Sequence, residues 1–282
     1  MSDMNEKTYH FISGLPRSGS TLLSSILKQN PRFTAGITDP VQSYTDAIIR
    51  STENVEGGRK LVEAEKRQRI IRGIFDTYYE DGPEVCFNTG RTWTAKTSIL
   101  KELYPNFKMI VCVRSIPWIL NSFEKLHHKD PFTTKPIYGN QIINTVDDRC
   151  FSLFNPNDGS GVVGDPLKMM RGGVYSQESS HMIFVEYNAL TKKPESTMRK
   201  VYSFLEEKYF DHDFEDVEDS YEEYDLDLKM SGLHTVKKKV EYIEGKRLLP
   251  PQVWNIYVQH NFWEDRNFDK SQFNWISDSP NN

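Results

Sequence analysis

The sequence predicts a three-layer α/β fold, with a central, mainly parallel sheet flanked by helices. Short, continuously apolar runs read as strands buried on both faces, above all Met109-Ile110-Val111-Cys112-Val113 and Met182-Ile183-Phe184-Val185. Stretches with apolar residues at helical spacing alternate with these runs. A loop bearing Gly and Pro joins the first strand to the first helix, as strand-to-helix units of such folds require. The 282 residues suffice for one full core, and neither an internal repeat nor a clean boundary divides them, so one domain over 1–282 is expected.

The elements follow in order. Tyr9-His10-Phe11-Ile12-Ser13 is the first strand. Ser20 to Gln29 is a helix with Leu22, Leu23, Ile26 and Leu27 on one face. Leu61 to Tyr79 is a second, charged amphipathic helix, and Val85-Cys86-Phe87 a short strand. After the run at Met109, Ser115 suits a helix N-cap and Pro117 the first helical turn. Residues 130–175 are expected to form a substrate-side insertion of loop and helix, in which Asn155 to Gly173, rich in Gly, Asn, Asp and Pro, is a long loop. Pro194 to Lys208 follows the Met182 strand as a helix carrying Met198, Val201, Tyr202 and Leu205. Asp211 to Asp227 is an acidic segment, expected to be solvated or mobile.

Composition narrows the function classes. The chain is 37% hydrophobic and 27% charged, with a mean hydropathy of −0.62, as in a soluble globular protein. A net charge of −5 argues against nucleic acid as a partner while allowing a local basic pocket. No apolar run approaches the roughly 20 residues of a membrane span, so no membrane association is expected. Met1 to Lys7 lacks the basic and apolar regions of a signal peptide. Cys86, Cys112 and Cys150 show neither zinc spacing nor a disulfide framework; free buried thiols in a reducing cytoplasm fit them best.

The loop Gly14-Leu15-Pro16-Arg17-Ser18-Gly19-Ser20-Thr21 carries the chemistry. Backbone N–H groups there and at the helix start are placed to hold an anion, and the helix dipole favours negative charge. A nucleoside-triphosphate loop reads Gly-x4-Gly-Lys-Ser/Thr. Here Gly14, Gly19 and Thr21 fit, but Ser20 stands at the lysine position and the cation is Arg17. The strand at Met109 ends on Arg114, not on the Asp that would hold magnesium. The expectation is a P-loop-like scaffold with no metal. Arg114 leaves a strand end and Ser122 lies in the second turn of the next helix, so both can face one phosphate.

Pro16-Arg17-Ser18-Gly19-Ser20-Thr21-Leu22 resembles the 5′-phosphosulfate loop of sulfotransferases that use 3′-phosphoadenosine 5′-phosphosulfate (PAPS). Val113-Arg114-Ser115 through Ser122-Phe123 resembles the second motif of that family, an Arg at a strand end with a Ser eight residues on. Glu186-Tyr187-Asn188-Ala189-Leu190 followed by Pro194 resembles its Tyr-Glu-Asp-Leu…Pro segment, with Asn188 departing from the usual acid. Leu233 to Val240 resembles a basic segment that closes over the nucleotide, and Asn88 to Lys96 a segment of a bacterial branch. The resemblance spans roughly residues 9 to 245 and implies a single sulfotransferase domain of the cytosolic, small-molecule type.

The resemblance implies PAPS as donor and PAP, its desulfonated form, as product. It implies donor contacts from Arg17, Ser18, Gly19, Ser20, Thr21 and Leu22, with Arg114 and Ser122 on the 3′-phosphate, Tyr187 beside the adenine, and Lys237 and Lys239 closing over them. Arg17 neutralises the leaving phosphate, and Lys96 is the second candidate for the transferring group. The general base stays open: Asp39 leads, ahead of His127, His128, Asp147 and Asp148. The expected acceptor is a hydroxyl or amine of a small molecule of the kind found in secondary metabolism, with Trp93, Trp118, Phe132 and Tyr138 as candidate pocket aromatics. Peptidyl-tyrosine or carbohydrate sulfation, a P-loop kinase or NTPase, and a non-catalytic nucleotide-binding module are the alternatives. The sequence leaves room for a homodimer.

Overall fold

The computed structural model describes residues 7–54, 62–131, 136–139, 143–217 and 219–278; Phe132, Leu61 and nearly all of the Met1–Lys7 segment lie outside them. Among the described residues, six strands form one sheet, and every pairing in it is parallel. They are β1 (Thr8–Gly14), β2 (Phe33–Ala35), β3 (Val85–Thr89), β4 (Met109–Val113), β5 (Met182–Glu186) and β6 (Asn274–Ile276), in the spatial order β2-β3-β1-β4-β5-β6. Strand side chains alternate across the sheet, so Phe11, Val111 and Phe184 pack into one core layer while Ile12, Ile110 and Val185 pack into the other. This is the expected three-layer arrangement.

The helices α1 (Ser20–Lys28), α2 (Val41–Asn54), α3 (Ala64–Tyr78), α4 (Thr97–Leu103), α5 (Ile116–Lys129), α6 (Val146–Leu153), α7 (Gly164–Val174), α8 (Tyr187–Lys192), α9 (Pro194–Leu205), α10 (Glu222–Asp227) and α11 (Pro251–Val258) fill the outer layers. Each strand expected from the sequence is present. Strands β2 and β6, three residues each, are additions; so short a run shows no period of its own.

Two expectations are corrected, the second only in part. Asn155 to Gly173 is not one long loop, because α7 begins at Gly164. Gly173 sits in this helix for contact: a Cβ there would lie 2.8 Å from the Thr94 carbonyl oxygen. The acidic segment is anchored, although most of its carboxylates are solvated as expected: Asp211, Asp213, Glu222, Glu223 and Asp227 are exposed. His212, Val217 and Asp225 are buried. Asp219 pairs with Lys28 at 2.9 Å, and the Val217 N–H donates to the Lys238 carbonyl at 2.7 Å. Glu215 and Asp216 pair with Lys239 and Lys238 on the 233–240 strap.

All three cysteines are free and buried, and burial pushes the Cys112 thiol up to about 12 and Cys86 to about 11, so both stay protonated and inert. No helix among the described residues is long and apolar enough to cross a membrane.

The chain passes from β1 to β2 and β3 on one side and then returns to β4 on the other, so β1 and β4 flank a topological switch point. Loops at the carboxyl ends of such strands open a crevice where ligands bind. Gly14 closes β1 at φ 115°, and a Cβ there would stand 2.2 Å from the Cys112 carbonyl oxygen. Gly14→Ala is therefore expected to lower unfolding free energy in urea by about 3 kcal/mol or more.

Candidate active site

The loop after β1 folds back on β4 through a 3.0 Å hydrogen bond from the Leu15 N–H to the Cys112 carbonyl. Arg17 (φ 56°) and Gly19 (φ 99°) are left-handed, which turns successive backbone N–H groups inward as an anion nest at the start of α1. Ser18 is turned into this loop, its hydroxyl donating to the Leu15 carbonyl at 2.5 Å. Its side chain therefore braces the loop, and the hydroxyls of Ser20 and Thr21 line the open cavity beside it.

Arg17 and Arg114 leave neighbouring strands and meet over this nest. Arg17 Nε donates to Ser122 Oγ at 3.1 Å, and an Arg114 terminal nitrogen donates to the Arg17 carbonyl at 3.0 Å. The Arg114 guanidinium lies 4.1 Å from the Tyr187 ring centroid, a stacked contact worth about 0.5–2 kcal/mol. Gly19 supports the same ring, since a Cβ there would lie 3.0 Å from Tyr187 Cδ2. Tyr187 thus orients Arg114 as well as lining the cavity.

No carboxylate pairs with Arg17, Arg91 or Arg114 among the described residues. Burial, and then the like charge of Arg114, draw the Arg17 guanidinium down to about 10, still protonated at neutral pH. Around these groups lies a cavity of about 400 Å³, which also receives Lys125, Lys129, Lys237 and Lys239. Glu241 is its one lining carboxylate among the described residues. The sequence reading missed Lys125 and Lys129, although they follow Ser122 at three and seven residues on one face of α5. The structure brings together all the expected donor residues except the Ser18 side chain. Among the described residues no group of three His, Cys, Asp or Glu side chains is placed to hold a metal ion.

A second cavity of about 460 Å³ adjoins the first, with Ser20, Arg91, Leu233 and His234 lining both. Its walls are largely apolar, from Ile37, Phe123, Ile137, Val162, Leu228 and Met230. Of the expected pocket aromatics, Trp93 and Tyr138 are in the core, and Trp118 lines the cationic cavity instead.

Two expected catalytic side chains lie off both cavities. Lys96 Nζ pairs with Asp46 at 3.1 Å and also donates to the Thr92 hydroxyl. Asp39 accepts from the Val41 N–H at 2.9 Å, from Asn88 at 2.7 Å and from the Tyr79 hydroxyl at 3.0 Å. Burial raises its carboxyl while these bonds pull it back. Asp39 thereby caps α2 and ties it to β3, and Asn88 continues the network to Trp93 Nε1 at 2.8 Å. Asp148 closes a capping box with Thr145, and His128 pairs with Glu124 at 3.0 Å. Sequence alone did not single out Asp225 and His234, which pair at 2.5 Å beside the shared wall.

The parallel sheet and the loop-to-helix crevice at its switch point define a P-loop-like α/β fold with a cationic cavity. The sulfotransferase family model matches residues 10–211, and the chain belongs to that family. No curated protein matches it. Similar solved structures include the sulfotransferase domain from the curacin biosynthetic pathway, at 18% identity and TM-score 0.47, covering 72% of this chain and 75% of that one. A sulfotransferase from Alicyclobacillus acidocaldarius is 15% identical with TM-score 0.48, covering 73% and 84%. The sulfotransferase domain from the Synechococcus PCC 7002 olefin synthase is 16% identical with TM-score 0.41, covering 74% and 76%.

If Asp39 serves the fold, Asp39→Ala should lower stability by about 1–2 kcal/mol in urea melts. Asp39→Asn, which can still cap α2, should stay near wild type in both stability and transfer rate.

Proposed function

We propose that the chain transfers the sulfuryl group of PAPS to a small-molecule acceptor and releases PAP. The observation that carries this reading is the apposition of Arg17, Ser122 and Arg114 over the loop nest, with no carboxylate in salt-bridge contact with either guanidinium among the described residues. Such a site suits an anion, and its cations come from the loop after β1, the end of β4, α5 and the strap, enough for a nucleotide that carries phosphates at both ends of its ribose. Arg114 and Ser122 take the 3′-phosphate. Arg17 and the loop N–H groups take the 5′-phosphosulfate and neutralise the charge that develops on the bridging oxygen. The Ser122 hydroxyl accepts from Arg17, which leaves its proton free for a phosphate oxygen.

Lys237 and Lys239 lie on the strap that lines the donor cavity, in reach of the nucleotide. Lys239 is shared with Glu215 at 2.8 Å, an exposed pair that a bound phosphate can displace. The apolar second cavity is the acceptor chamber, and its walls suit a compact, uncharged body of the natural-product kind. A kinase reading has no support here: Ser20 faces the cavity where a lysine would be needed. A cytoplasmic setting accords with the three free thiols.

PAP should raise the melting temperature with EDTA present, whereas stabilisation only by Mg-ATP would rule this reading out. Arg114→Ala should weaken PAP binding about 10- to 100-fold by calorimetry. Arg17→Ala should slow sulfuryl transfer to a panel of phenols and alcohols by about 100- to 1,000-fold. Unchanged transfer in that variant would remove Arg17 from the leaving-group role.

A further inference from the structure

We propose that His234, held by Asp225, is the catalytic base that takes the proton from an acceptor hydroxyl; this rests on the donor reading above. The two residues come from segments remote from the phosphate loop: Asp225 from α10 and His234 from the basic strap. Asp225 Oδ1 lies 2.5 Å from His234 Nδ1, and its Oδ2 accepts the His234 backbone N–H at 2.8 Å. One carboxylate thus fixes both the ring and the backbone that carries it. The Asp225 side chain is 3% exposed and that of His234 13%, so the pair is shielded from water while the ring still reaches open space.

That open space is the junction of the two chambers. His234 lines both, together with Ser20 at the start of α1 and Arg91. With Nδ1 engaged by Asp225, the ring is held in the tautomer whose lone pair is on Nε2. Nε2 has no hydrogen-bond partner in the protein among the described residues. The charged groups around the ring are Asp225, Arg17 and Arg91, and the Tyr224 ring packs against it at a centroid distance of 5.6 Å. Burial, Arg17 and Arg91 favour the neutral imidazole and Asp225 the charged one, with a net shift below the usual histidine range. The ring is therefore ready to accept a proton at neutral pH, and Asp225 stabilises the imidazolium once formed.

In the transfer step, the acceptor oxygen forms a bond to sulfur as the bond from sulfur to the bridging oxygen breaks. The electron pair of that broken bond goes to the 5′-phosphate of PAP, beside Arg17. The acceptor O–H proton passes to His234 Nε2 and later to solvent. The same geometry selects the acceptor. Arg91 disfavours a protonated amine, and the walls formed by Ile37, Phe123, Ile137, Val162 and Met230 favour an apolar body. The acceptor class is a phenol or alcohol on an uncharged, apolar skeleton.

The competing role is structural, with the pair merely fastening α10 to the strap. Consumption of PAPS with water as the only acceptor separates the two roles without knowledge of the natural substrate. Wild type should show a rate that rises with pH through one ionisation below the ordinary histidine value. His234→Gln should bind PAP with an affinity within about threefold of wild type yet consume PAPS about 100-fold more slowly, with the pH limb gone. Asp225→Asn should move that limb to lower pH, because the carboxylate no longer favours the imidazolium; a fastening role would not move it. Should glutamine at 234 unfold the strap, the shift in Asp225→Asn carries the test. A His234→Gln rate within about threefold of wild type with PAP bound, or an unmoved limb in Asp225→Asn, overturns the dyad and leaves the donor reading standing. Wild-type protein that binds PAP but never consumes PAPS also overturns the dyad. Protein that does neither overturns both readings.

Discussion

Two guanidinium groups held together with no carboxylate in direct contact, among the described residues, are the constraint around which the site is organised. Placing Arg17 beside Arg114 in a crevice is unfavourable: burial first, and then the like charge of Arg114, lower the proton affinity of Arg17, and Asp225 offsets this in part. Several devices offset that cost. The parallel pairing of β1 and β4 brings the loop and the strand end together. The Arg17 carbonyl accepts from Arg114, Ser122 accepts from Arg17, and the Tyr187 ring lies beneath Arg114. Left-handed backbone at Arg17 and Gly19 shapes the loop beside them. What remains is a preorganised excess of positive charge, which the proposed donor would balance.

The outer parts of the site follow from that deficit. The strap that bears Lys237 and Lys239 would be repelled by the two arginines if nothing held it. The acidic segment holds it: the Val217 N–H donates to the Lys238 carbonyl, the Val240 N–H donates to the Phe214 carbonyl, and Asp225 grips His234. The same segment is fastened to α1 through Asp219 and Lys28 and through Gln29. A stretch of negative charge thus serves as scaffold for a cationic strap, and it places His234, the one histidine among the described residues that lines both chambers. Ser20, Arg91, Leu233 and His234 make the shared wall, where the proposed mechanism needs its charge and proton handling.

Much of this was legible before any coordinates, for a local reason. The phosphate loop and the Arg114…Ser122 pair each lie on one strand-to-helix unit, so sequence spacing translates directly into geometry. The buried strands were equally plain as unbroken apolar runs. The absences carried as much as the matches, with Ser20 in place of a lysine and Arg114 in place of an acid. Contacts between a short helix and a remote coil segment were not legible. Nothing in the spacing of Asp225 and His234 marks a partnership, since α10 is only six residues long and His234 lies in coil. Lys96 read as a candidate because its segment resembled a motif, yet its ammonium is engaged by Asp46 on α2. Asp39 drew notice as an acid in a substrate-side loop, and it caps α2. The helix at Gly164–Val174 was hidden by its glycines, of which Gly164 and Gly173 serve close packing.

The central claim is that the site is a two-ended phosphate clamp, with separate cations for the two ends of one nucleotide. Calorimetric titration of PAP against 5′-AMP tests it most directly, because the ligands differ only by the 3′-phosphate. The account predicts that PAP binds about 100-fold more tightly, the worth of one charge-assisted phosphate contact set. Equal affinity for the two nucleotides would contradict the clamp.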